Sequence, residues 1–234
     1  MSNDFLLRII FWLYSDKLVQ DRIFLEGGAA LHFLYGIKRK FSYDIDLTLA
    51  KESDLPILLK SLHKFVGQDE NSGIAFKVLD DHSIGLFKNH KLLTSIDFYV
   101  QSIGSFAYEC RKIEWRKSET EVQTHSLDDI LAEKICNALQ RDRIEFKDIN
   151  DIPLIYSYLR QNDKAKNLRK LTQQKLKYKK ILMPTQKKLA NYWQDREKDF
   201  LSSFNTGDWA VESRDFNEKY EQAYKITANL LFGE

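Results

Sequence analysis

Apolar and polar residues alternate with a period of two along residues 43–49 and 95–100, the signature of strands with one buried face. Elsewhere the period is helical. Residues 3–18 read as a helix, residues 23–25 as a short strand ending at Gly27-Gly28, and the following residues as a helix closed near Gly36. An amphipathic helix is expected over residues 53–66. Strands follow at about residues 74–79, 83–87, 92–100 and 112–123, with turns near Asp80-Asp81 and Asn89. Beyond Ser126 almost everything carries helical periodicity. The pattern predicts an α+β chain: a mixed sheet with helices over residues 1–124, then a helical lobe over residues 125–234.

Composition adds limits to this picture. With 43% apolar and 30% charged residues the chain is an ordinary globular one. Three prolines and nine glycines leave no room for a spacer or a low-complexity tract. Residues 5–14 are apolar but short and broken by Arg8, so they read as a buried helix rather than a signal peptide, and nothing else is long enough to span a bilayer. The two cysteines, Cys110 and Cys136, have no ligand-like spacing and suit a reducing compartment. A soluble cytoplasmic protein with no membrane partner is the expectation. Its net charge of +2 conceals eleven lysines and arginines against one aspartate between Arg160 and Ala190. Such a stretch, with Lys170, Lys177 and Lys180 among its charges, is either a surface for a polyanion or a solvated helix face.

The alternating strands carry the first candidate chemistry. In a strand, Ile45, Leu47 and Leu49 share one face, which puts Asp44, Asp46 and Thr48 on the other. The two aspartate Cα atoms then lie about 6–7 Å apart, and like charges that close are costly without a cation between them. In residues 95–100, Ile96, Phe98 and Val100 are expected inward and Asp97 outward. Three aspartates on neighbouring strands offer oxygen ligands to Mg²⁺. The alternative is an exposed sheet face with solvated carboxylates.

Gly27-Gly28 is either a tightly packed strand-to-helix corner or a place where phosphate approaches the backbone. It lacks the third glycine of a dinucleotide fingerprint and the Gly-Lys-Ser/Thr of a P-loop. Downstream, Ser126 and Asp129 have capping-box spacing for a helix. Lys134 falls on that helix's apolar stripe with Leu127, Ile130 and Leu131, and Arg141 falls seven residues further. A lysine there either snorkels to the rim or meets an anion; the second reading aims Lys134 and Arg141 at a nucleotide phosphate. Asp148 lies beside the next apolar stripe and reads either as a cleft acid or as a first-turn acid favoured by the helix dipole.

Taken together and in order, the segment Phe24 to Leu31, Arg39 with Ser42 to Asp46, and Lys134 through Arg141 to Lys147-Asp148 and Asp151 resemble the AbiEii/AbiGii nucleotidyltransferase toxins, which include the MenT toxins. These belong to the DNA polymerase β-like nucleotidyltransferase superfamily. The resemblance covers about residues 20–160. It implies a bilobed fold and transfer of a nucleoside monophosphate from an NTP, with Mg²⁺ or Mn²⁺ as cofactor. By motif match, Gly27, Gly28 and Ser42 bind phosphate, Asp44 and Asp46 bind metal, Lys134 holds the triphosphate, and Asp148 is the acid of the helical half. Asp97 fits the superfamily's third carboxylate by strand pattern. Ala29 stands where many members carry a hydroxyl residue, and Lys147 where arginine is usual.

The expected function is therefore NMP transfer to a hydroxyl acceptor, with RNA and the tRNA 3′ end foremost, in a toxin with a cognate antitoxin. The rival expectations are a small-molecule or protein acceptor, and a non-catalytic nucleotide- or RNA-binding module of the same fold. The aromatic-rich tail from Tyr192 to Tyr224 is either core or a surface for the antitoxin.

Overall fold

Strand alternation is resolved into a seven-stranded mixed sheet in the computed structural model, which describes residues 3–37, 44–68, 71, 73–101, 106–140, 145–162, 167–204 and 213–233. The elements of the first part are α1 (Asn3–Ser15), β1 (Ile23–Glu26), α2 (Gly27–Phe33), β2 (Asp44–Leu49), a 3₁₀ turn (Glu52–Asp54), α3 (Leu55–Val66), β3 (Ile74–Asp80), β4 (Ser83–Lys88), β5 (Lys91–Val100), β6 (Tyr108–Trp115) and β7 (Ser118–His125). The sheet order is β3-β4-β5-β2-β1-β7-β6. β2 runs antiparallel to β1 but parallel to β5, and β1 is parallel to β7.

One face of this sheet is covered. Ile45, Leu47, Leu49, Ile84, Leu86 and Ile96 are buried on it. α3 packs over its β3 end, where His63 meets Phe76 edge-on at 4.6 Å, and α1 over its β6 end, where Phe11 meets Trp115 at 5.7 Å. The two helices are joined by Trp12 Nε1 donating to the Ser61 carbonyl. Val100, expected inward, ends β5 half-exposed.

The expectation of one strand over residues 112–123 is corrected. Two strands, β6 and β7, form a hairpin around Arg116-Lys117. Both turn residues have positive φ (48° and 66°), as a two-residue type I′ turn requires. Neither is a glycine or asparagine, so the turn left no mark in the composition.

The chain divides by its internal contacts into Met1–Ser126 and Leu127–Glu234. The second unit contains α4 (Leu127–Gln140), α5 (Phe146–Gln161), α6 (Leu168–Tyr178), α7 (Gln186–Phe204) and α8 (Ser213–Phe232). Its core takes Ile149, Ile152, Ile155 and Leu159 from α5 and Phe216, Tyr220, Ala223 and Leu231 from α8. Trp193 is buried against Tyr220, with ring centroids 5.1 Å apart, so these tail aromatics belong to the core. Cys136 is buried here and its thiol is pushed up to about 12 by burial, whereas Cys110 is exposed. A thiol reagent at about pH 8, which needs thiolate, should titrate Cys110 rapidly and Cys136 only after denaturation. Equal native rates would contradict this packing.

Candidate functional site

The polar face of β2 brings three acids together. Asp46 on β2 pairs with Asp97 on β5, and Asp44 with Ser95, so both aspartates of the β2 alternation share a face with Asp97. One carboxylate oxygen from each of Asp44, Asp46 and Asp97 lies within 4.8 Å of the others, and all three residues are half-buried. Three close carboxylates repel one another, and their hard oxygen donors fit Mg²⁺ or Mn²⁺. On β4, Ser83 pairs with Asp97 and its hydroxyl donates to Asp97 Oδ1 at 2.6 Å. That bond orients the third acid, and Ser83 carries no signal in the sequence beyond its place near a turn.

On the other side of Asp46 the row continues. Glu26, the last residue of β1, is the register partner of Asp46. Glu26 is buried; the Thr48 hydroxyl donates to it at 3.1 Å and His125 Nδ1 lies 3.7 Å away. His125 is itself stacked on Phe106 with centroids 4.2 Å apart. The Tyr35 hydroxyl donates to the His125 carbonyl at 2.7 Å, and burial raises its pKa, so it stays a donor. These residues were not singled out as site candidates from the sequence.

Gly27 has a specific reason to be glycine. Its φ is +64°, and a Cβ there would collide with the Asp46 carboxylate. The corner is thus tight because an acid of the triad occupies the space beside it, which joins the two motifs in one place. Gly28 is buried in α2. Ser42 and Arg141 lie outside the described residues, as do Arg39 and Tyr43.

In the helical unit, Lys134 meets anions. It is 8% exposed, and its Nζ lies 3.0 Å from Asp148 Oδ1 and 3.2 Å from Asp151 Oδ2. Both aspartates are fully buried. The capping expectation at Ser126 is corrected: its hydroxyl has no hydrogen-bond partner, and Asp129 instead accepts from Lys175 Nζ at 2.7 Å. Lys175 also approaches Glu133 at 3.5 Å, and Lys179 pairs with Glu133. Two charges of the basic stretch are therefore spent inside the unit. Lys170, Lys177 and Lys180 are exposed, and Lys164 and Lys166 lie outside the described residues.

The family described as "Nucleotidyl transferase AbiEii toxin, Type IV TA system" matches residues 9–225. The chain belongs to the AbiEii family. It is accordingly a nucleotidyltransferase, with an NTP as substrate and a role in a toxin–antitoxin system. Three solved structures are similar at low identity. The solution structure of the antibiotic-resistance factor ANT(2″)-Ia has 13% identity and a TM-score of 0.48, covering 76% of this chain and 94% of that one. ANT(2″)-Ia in complex with adenylyl-2″-tobramycin has 16% identity and a TM-score of 0.47, covering 74% and 99%. An antigenic nucleotidyltransferase-like protein from Paracoccidioides brasiliensis has 16% identity and a TM-score of 0.44, covering 76% and 90%. No curated protein matches the sequence. Among the described residues of this AbiEii-family chain, no helix is long and apolar enough to cross a membrane.

Proposed function

We propose that this protein transfers NMP from an NTP to a hydroxyl of an RNA acceptor, with the tRNA 3′ end foremost, and that Asp44, Asp46 and Asp97 are its metal-binding centre. The observation that carries this reading is the convergence of the three carboxylates within 4.8 Å on two paired strands. A divalent cation, when bound, supplies charge neutralisation for the triphosphate and makes the attacking hydroxyl more acidic. Gly27 and Gly28 are assigned to the phosphates on the family resemblance. Ser42, Lys134 and Arg141 are assigned to the triphosphate, where positive charge and donors offset developing negative charge.

The acceptor oxygen forms a bond to the α-phosphorus, the bond from that phosphorus to the bridging oxygen breaks, and pyrophosphate leaves with the electron pair. The hydroxyl proton passes to solvent, and Asp148, fully buried against Lys134, positions that lysine. Ser83 holds Asp97 by its hydroxyl throughout. The exposed Lys170, Lys177 and Lys180 are the charges assigned to the RNA backbone, and an antitoxin is the protein partner.

Incubation with labelled NTPs, Mg²⁺ and total tRNA tests the reading. Label should pass to RNA, and Asp46→Asn should lower the rate by about 100-fold or more, the equivalent of about 3 kcal/mol or more of lost charge stabilisation. Absence of label on any nucleic acid, with active controls, overturns the RNA acceptor.

A further inference from the structure

The acid triad occupies only the middle of its sheet face, and the β3–β4–β5 end of that face is open. Register places Lys77, Gly85, Ser95 and Asp44 in one row across four strands. The next row outward is Ala75 and Phe87 with Leu92. Paired residues share a face, so these rows continue the surface that holds the carboxylates. Ala75 and Lys77 are exposed, Phe87 is half-exposed and Leu92 is 54% exposed.

Gly85 shapes the floor of this surface. A Cβ on it would come within 2.7 Å of Phe87 Cε2 and 3.0 Å of Leu92 Cδ1. Its backbone is not left-handed, so glycine is needed here for room alone. The Phe87 ring uses that room to lie down on the sheet beside Leu92. A half-exposed aromatic ring packed over a glycine offers a stacking surface for any base.

The row that crosses this surface carries a lysine at its outer end and the acids at its inner end. Lys77 lies in the Gly85 row and is exposed on this face, whereas Lys88 and Lys91, one position beyond Phe87 and Leu92, pair on the opposite face of the hairpin tip. Among the described residues, no carboxylate forms an ion pair with these lysines. Lys77 beside the Phe87 ring supplies the pairing of features that single-stranded nucleic acid uses, phosphate on lysine and base on ring.

We propose that this end of the sheet is the acceptor platform: the last bases of an RNA strand rest on Phe87 and Leu92 over Gly85, and Lys77 takes a backbone phosphate. Two strand spacings, about 10 Å, separate Gly85 from Asp44, so a strand lying along the row delivers its terminal hydroxyl to the triad. The inference rests on the RNA-acceptor reading above and adds the surface that selects and aims that acceptor. It also separates two jobs. The lysines of α6 supply general attraction to RNA, whereas Phe87 decides whether the end of the strand is held at the triad.

Steady-state transfer of labelled NMP to tRNA, with NTP and tRNA varied separately, tests it. Phe87→Ala should raise the tRNA KM by about fivefold to a hundredfold while leaving the NTP KM unchanged, and Phe87→Trp should retain tight acceptor use. Lys77→Ala should raise the tRNA KM and flatten its salt dependence. A short fluorescent single-stranded RNA, bound to the Asp46→Asn protein, should lose affinity with the same substitutions. Thermal melting of each variant separates a folding defect from a lost contact, and Phe87→Trp guards against a core effect. If wild-type protein labels tRNA but Phe87→Ala and Lys77→Ala leave the tRNA KM unchanged, the platform is refuted and the RNA reading survives. If wild-type protein labels no RNA, both fall together.

Discussion

Gly27→Ala abolishes nucleotidyl transfer as thoroughly as removal of a metal-binding acid. This is the expected result of placing one methyl group where the structure has none to spare. Gly27 has φ +64°, and its Cβ would occupy the position of the Asp46 carboxylate. The left-handed backbone alone costs an L-residue about 1–2 kcal/mol. The larger effect is on Asp46, which must swing away from Asp44 and Asp97 or push β1 from β2. Transfer of labelled NMP should fall by about 100-fold or more, matching Asp46→Asn. Circular dichroism and melting should show a folded protein that is a few degrees less stable. An alanine variant with near-normal rate would show that the carboxylate of Asp46 need not sit where it does.

Removing the Lys134 charge is the second large perturbation, and its primary effect is on stability. Lys134 Nζ lies between two fully buried aspartates, at 3.0 Å from Asp148 and 3.2 Å from Asp151. Lys134→Met leaves their carboxylates buried without that cation, and breaking a buried ion pair on one side typically costs about 3–5 kcal/mol. Urea denaturation, monitored by circular dichroism, should show that loss. Combining Lys134→Met with Asp148→Asn should recover part of it, because the double variant no longer buries that charge. No loss in the single variant would show that these carboxylates are satisfied without Lys134. The consequence for enzymology is practical: an inactive Lys134 variant says nothing about triphosphate binding until its fold has been measured, whereas Lys134→Arg keeps the charge and tests position.

The legible part of this protein is the part written in short-range patterns. The alternation around Asp44 and Asp46 placed both acids on one face because strand periodicity is local. Lys134 stood out because it broke an apolar helical stripe. Its pairing was hidden for the opposite reason: Asp148 and Asp151 lie on the next helix, and their spacing from Lys134 does not show that they meet it. Lys175 shows the same limit. It counted as one more charge of a basic stretch, yet it is buried against Asp129 and Glu133 of α4. The reason for Gly27 was also out of reach, since it depends on where a side chain of the neighbouring strand points. The β6–β7 hairpin was missed because Arg116 and Lys117 adopt left-handed turn geometry that residues of their type rarely signal.

The mixed sheet has a further meaning for how the enzyme is made. β2 receives β1 from one side in antiparallel pairing, but Asp97 reaches it only through β5 in parallel pairing. Parallel pairing requires the chain to cross over and close a long loop before any contact rewards it. During synthesis the strand with Asp44 and Asp46 leaves the ribosome well before Val100, so the third acid docks late. A growing or partly folded chain therefore carries two acids without the third. In a toxin, that order of assembly delays the hazard until β5 has docked on β2.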